Sequence, residues 1–224
     1  MEPPGRSTLA CVDEDIEQVA VRAGIDAVET LAQTTWLGPA IDADVRAGRF
    51  ERWGSSTVID EHVGGPVISA PLFAALHSRA GLAAQWPVGN AGLLHVYGYL
   101  LSTVPTPFGF KRDRWLTSTL ATAYGLSADA FVPGTSPRTL LERVTEAADG
   151  LSDRATVRQQ EVTGVATSVA LDRRSFGGAW ALVYIVEGRL VTTFTVESAE
   201  QILDEWDAAE PALRWNAVDP RRRS

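Results

Sequence analysis

The chain has 224 residues, 45% of them hydrophobic and 21% charged, with a formal net charge of −8 and a pI near 4.9. That size supports one domain whose core needs no disulfide, and the single cysteine, Cys11, rules out an internal one. The acidic balance argues against nucleic acid as a partner, and no apolar run reaches the roughly 18–20 residues of a membrane span.

The N-terminus carries no basic-then-apolar leader pattern, so a cytoplasmic location is the default expectation. Residues 1–10 read as a loose tail, 11–218 as one α+β domain and 219–224 as a second tail. "DEDIEQVAVRAGIDAVETLAQ" predicts a helix capped by Asp13, with Ile16, Val19, Ala20, Ala23 and Ala27 on one face and Gly24 as a break point. "GPAIDADVRAG" and "SAPLFAALHSRAG" predict two more. Each has a proline in its first turn (Pro39, Pro71) and a glycine past its end (Gly48, Gly81).

"AGLLHVYGYLLSTV", residues 91–104, is dominated by Tyr, Val and Leu and predicts a strand with Gly98 as a bulge. "WLTSTLATAYG" predicts a helix entered at Asp113 and closed by Gly125. "SPRTLLERVTEAADG" predicts another, with Ser136 as N-cap and Pro137 at the first helical position. "VTGVATSVALD", "AWALVYIV" and "RLVTTFTV" predict three antiparallel strands, with turns at Gly177-Gly178 and Glu187-Gly188 and the apolar middle strand buried. A capping box from Ser198 to Gln201 opens the last helix. The fold class is therefore α+β: an antiparallel sheet with helices packed on one face and a helical N-terminal third.

No hydrolase nucleophile elbow, P-loop or dinucleotide-binding glycine motif is present, and the three histidines follow no zinc spacing. Neither a cofactor nor a metal is expected. Chemistry is sought first in "TPFGFKRDRW", residues 106–115, which holds the only lysine. Lys111, Arg112 and Arg114 would clamp an anion at a helix entry, with Phe108 against its apolar part. On the strand expected before it, His95, Tyr97 and Tyr99 at period two would line a pocket or a packed sheet face. In "VIDEHVGG", Asp60 or Glu61 would orient His62 as a base, or Asp60 and His62 would share a strand face.

The small-residue row Gly164, Ala166, Ser168 and Ala170 would seat a helix or open a cavity. Trp53, Trp86 and Trp215 would edge a binding site from loops.

Two functions fit. The first is a cofactor-independent enzyme using acid–base chemistry on a small carboxylate, with His95, His62 and Tyr97 catalytic and Lys111, Arg112, Arg114, Phe108 and Tyr99 binding. The second is a non-catalytic binding or interaction protein, with residues 106–115 as anchors. The expected partner is a small anionic molecule, without nucleic acid or membrane, and a homo-oligomer is compatible with the sequence.

Overall fold

A computed structural model describes residues 16–153, 155–174 and 178–221. The predicted N-terminal tail, Cys11 and the Asp13 cap lie outside them, as do Gly177 of the first predicted turn and residues 222–224.

The apolar stripe of Ile16, Val19, Ala20 and Ala23 forms helix α1 over 16–25 and is buried. The break falls at Asp26, whose Oδ1 accepts the Glu29 N–H at 2.9 Å and caps α2, Ala27–Gln33. Helix α3, Leu37–Arg46, ends before Gly48 at φ 65°, and a 3₁₀ turn covers Arg49–Arg52. Short strands β1 (Ser55–Thr57) and β4 (Val88–Asn90) pair antiparallel, as do β2 (Ile59–Asp60) and β3 (Gly65–Pro66). Between them α4, Ala70–Ala80, has Ser69 as N-cap and Gly81 at φ 63°.

Residues 91–100 are helical, not a strand, with a π-helical segment at Leu93–Gly98. Asn90 Oδ1 accepts the Leu93 N–H at 3.0 Å and opens the helix. Leu93, Leu94, Val96, Tyr97 and Leu100 are all fully buried, so the element is enclosed all round. Periodicity then carries no helix signature, and a short apolar run reads equally well as a strand. Its two glycines are contact points. A Cβ on Gly92 would lie 2.6 Å from Trp53 Cγ, and one on Gly98 would lie 2.5 Å from Ile68 Cδ1.

Strands β5 (Pro105–Thr106) and β6 (Gly109–Phe110) form a tight hairpin. The helix expected after it is two pieces, α5 (Asp113–Leu116) and α6 (Ser118–Ala123), before Gly125 at φ 74°. Helix α7, Leu140–Ser152, begins three residues later than predicted. Its cap is Thr139, whose Oγ1 accepts from Glu142 N, while Ser136 accepts only from Arg138 N. Arg143 holds the preceding loop by donating to the carbonyls of Ala130, Val132 and Thr139.

The sheet has four strands, not three: β7 (Thr156–Val162), β8 (Val165–Asp172), β9 (Trp180–Val186) and β10 (Arg189–Val196), in the order β10-β9-β8-β7. The sequence hides β7 because "RQQE" in its middle carries no apolar alternation, as suits an edge strand. Thr163-Gly164 turns β7 into β8, and Glu187-Gly188 makes the predicted hairpin with both residues at positive φ.

Along β8, Val165, Thr167, Val169 and Leu171 are buried. Of the small-residue row, Ala166 is exposed and Ser168 half-buried, so it neither seats a helix along its length nor opens a cavity. Helix α6 packs on β9 and β10, and α7 on β8 and β9. Tyr124, just past α6, bonds Thr193, whereas Trp206 of α8 (Ala199–Ala208) packs edge-on to Tyr184. The buried apolar side chains form one continuous cluster. Residues 219–221, predicted to be a tail, fold back: Arg221 donates to the Thr163 carbonyl at 2.7 Å.

Because Gly92 has ordinary helical φ, alanine there would normally stabilise the helix. Contact with the buried Trp53 ring reverses the sign. Gly92→Ala is expected to lower stability by about 1–3 kcal/mol, read from the urea midpoint, and an unchanged or raised midpoint would contradict this packing.

Candidate functional site

The residues singled out in the sequence fall into three places. His95 and Tyr99, four apart on the π-helical turn, stack at 4.7 Å and face a cluster of charges. Tyr97 points elsewhere. Its hydroxyl donates to Asp44, which also accepts from Thr139 Oγ1 at 2.6 Å and Arg49 Nη1 at 3.1 Å. Burial raises the Asp44 pKa, and burial with that neighbouring carboxylate pushes the Tyr97 phenol well up. This network pins α3, α7 and the π-helical turn together through Tyr97.

His62 lies on the turn after β2, half-exposed, with Glu61 at 3.5 Å and the Phe108 ring at 5.0 Å. It shares no strand face with Asp60, because the strand ends there. Asp60 instead folds under the turn. Its Oδ1 accepts the N–H groups of His62 and Val63, and its Oδ2 lies 2.5 Å from Lys111 Nζ. Burial alone would raise this carboxyl, but the Lys111 hydrogen bond and charge, with the two N–H groups, hold it below its usual pKa.

The stretch 106–115 also divides. Lys111 is mostly buried, with Nζ 5.4 Å from the centre of the Tyr99 ring. Arg112 turns the other way, over Phe110 at 4.3 Å, near Glu17 and the Ser102 carbonyl, so its partners lie within the fold. Asp113 accepts the Phe110 N–H from within the first turn and does not cap the helix. With four residues, α5 has no helix end able to hold an anion. Phe108 stands at the hairpin tip, 76% exposed.

Arg114 is the residue that joins the cluster. Its guanidinium lies 5.3 Å from the Tyr99 ring, 5.5 Å from Phe194 and 5.8 Å from Trp115, and donates to Thr192 Oγ1 at 3.0 Å. Among the described residues no carboxylate pairs with it. Burial lowers its pKa, opposed by the nearby Tyr99 and Asp60, yet a guanidinium stays charged. Although densely surrounded, the residue keeps some solvent-accessible surface.

His95 is sealed. Its Nε2 lies 2.8 Å from Ser56 Oγ, which lies 2.9 Å from the Asn216 carbonyl. The Asn216 carbonyl can only accept, whereas the direction of the Ser56–His95 bond follows the tautomer of the ring. His95 Nδ1 has no hydrogen bond among the described residues, although the Val191 carbonyl lies near enough to favour a protonated ring. Burial first, then Arg114 and Lys111, push its pKa well below the ordinary value, so the ring is neutral. Burial pushes the Tyr99 phenol up to about 12.

Ser56, Thr192 and Asn216 were not legible as site residues. They reach the cluster from 39, 78 and 117 positions away from their partners His95, Arg114 and Tyr99. Of the loop tryptophans, Trp53 is buried, Trp86 is partly exposed against Phe73, and Trp215 packs on Phe194. Trp215 and Asn216 both have positive φ, 52° and 66°, a strained pair for non-glycine residues. The strain places the Asn216 carbonyl where it accepts from Ser56 Oγ and the Thr57 N–H.

Two cavities, of about 620 and 220 Å³, lie away from Arg114, against α7 and the loop before it, and Tyr97 is among the residues lining the smaller. The larger is lined by Arg138, Arg143 and Arg174, but Arg138 pairs with Glu142 and Glu146, Arg174 with Asp172, and Arg143 with carbonyls. Among the described residues no three His, Cys, Asp or Glu side chains gather as a metal site, and no helix is long and apolar enough to cross a membrane. Comparison with family models, with curated proteins and with solved structures finds no match to this chain.

His77 is the second neutral histidine: burial lowers its pKa, with Nδ1 donating to the Phe73 carbonyl and Nε2 accepting from Asn90 N. A histidine whose folded pKa is depressed favours the fold above its unfolded pKa of about 6.5, and that stability is lost as pH falls below it. Asp44, raised, acts in the opposite sense. The expected result is a urea midpoint that drops between pH 7.5 and 5.5, and drops less in His95→Gln. Equal drops in the two proteins would mean His95 does not titrate as described.

Proposed function

We propose that this protein binds a small carboxylate-bearing organic anion through Arg114. The observation that carries the reading is the guanidinium itself. It is enclosed by Tyr99, Trp115 and Phe194, and its hydrogen bond goes to the neutral Thr192 hydroxyl. A desolvated charge without an opposite charge is costly. A carboxylate would satisfy it through two parallel N–H donors.

The charge count points the same way. Asp60 pairs with Lys111 and only influences Arg114 from a distance, while His95 is neutral, so among the described residues the Arg114 charge has no paired counter-charge. This reading retains Lys111, Arg114 and Tyr99 from the predicted set and drops Arg112 and Tyr97.

An acid–base enzyme at the same site is the second reading. The unbonded Nδ1 of His95, beside both cations, is the observation for it, and the ring's 2% exposure with the Val191 carbonyl nearby weighs against it. His62, outside the cluster and half-exposed, has no part in it. If this reading holds, His95→Gln binds the anion and loses turnover.

Thermal denaturation with acetate, succinate and benzoate tests the binding reading. Ligand at 100 times its dissociation constant stabilises the fold by about 2.7 kcal/mol. At least one anion is expected to raise the melting temperature of the wild type. Arg114→Gln should abolish the rise, and Arg114→Lys, which keeps charge but loses the planar fork, should lose most of it. An undiminished rise in Arg114→Gln would refute the assignment.

A further inference from the structure

The Asp60–Lys111 pair ties the charged cluster to a second feature. Two hairpin tips stand side by side at the surface, β2–β3 with Ile59, His62 and Val63, and β5–β6 with Phe108. Ile59 and Val63 are 36% and 37% exposed, and Phe108 is 76% exposed while its ring meets His62 edge-on at 5.0 Å.

Phe108 is not exposed for want of order. Its N–H donates to Thr106 Oγ1 at 3.1 Å, that hydroxyl donates to the Gly109 carbonyl at 2.8 Å, and the Phe110 N–H donates to Asp113 at 2.9 Å. The turn is pinned with an apolar ring facing out. Beyond its edge-on contact with His62 the ring meets solvent, beside the partly exposed Ile59 and Val63.

We propose that the anion is amphipathic, with its head at Arg114 and its hydrocarbon part on these tips, against Phe108, His62 and Val63. This rests on the reading of Arg114 as the anion site. Continuity between head and tail regions carries the argument. The carboxylate that orders the His62–Val63 turn is the one that pairs with Lys111. Lys111 and Arg114 in turn flank one ring, that of Tyr99. A molecule with a charged end and an apolar end would satisfy the uncompensated guanidinium and cover the exposed ring at once. A purely polar anion such as acetate would leave the tips bare.

The test is calorimetric titration with straight-chain carboxylates from acetate to octanoate, on wild type, Phe108→Ser and Arg114→Gln. Since Phe108 is exposed, its replacement leaves the core intact. Affinity of the wild type is expected to rise about three- to fourfold per methylene while the chain lies on the tips. Phe108→Ser should flatten that rise and leave acetate unchanged, and Arg114→Gln should weaken every member. A flat series in wild type, or a rise that survives in Phe108→Ser, overturns the proposal while loss in Arg114→Gln still upholds the anion site. No binding by any member overturns both. A flat series together with Phe108-dependent binding to phosphatidylcholine vesicles would assign the tips to a lipid surface and also overturn the proposal.

Discussion

Asp60 stands between two cations, and the local structure around the site depends on that single carboxylate. One oxygen holds the turn after β2 and the other holds Lys111 over Tyr99, so Asp60 fixes the backbone of one hairpin to a side chain that follows the next. Its charge also reaches Arg114. With two positive groups and one negative in a place where water is scarce, the balance is incomplete. A buried charge without a paired counter-charge is costly, and Arg114 is only partly exposed.

The fold supplies this arrangement by close approach. Gly92 and Gly98 let the helix at 91–100 lie against Trp53 and Ile68, which sets His95 and Tyr99 on the side facing β1 and β10. The strained Trp215–Asn216 turn closes the same region, giving Ser56 and Thr57 a carbonyl to donate to. His95 therefore acts first as a structural ring: stacked on Tyr99, bonded to Ser56 and kept neutral by burial and by the two cations.

Features written in adjacent residues were legible in the sequence. Pro71 and Gly81 bound a helix because helix entry and chain reversal need only neighbours, and Glu187-Gly188 makes its hairpin for the same reason. The π-helical turn was not legible, because an element buried on every side has no polar face to mark its period. Thr139 replaced Ser136 as cap because Arg143, reaching back to the loop carbonyls, decides where that loop ends. Lys111 and Arg112 look equivalent as neighbours in a chain. One meets Asp60 and the other meets Phe110 and Glu17, partners that only the tertiary fold brings close.

Lys111 is the chain's only lysine, so labelling with ¹³C,¹⁵N-lysine places a single reporter inside the cluster. The measurement that tests the central claim most directly is the Nζ resonance of that residue during titration with butyrate. A mostly buried ammonium 2.5 Å from a carboxylate exchanges its protons slowly, so a protected signal is expected, and it should shift saturably as the anion fills the space beside Arg114. A freely exchanging signal at the position of an exposed lysine, indifferent to butyrate, would contradict both the buried pair and the anion site beside it.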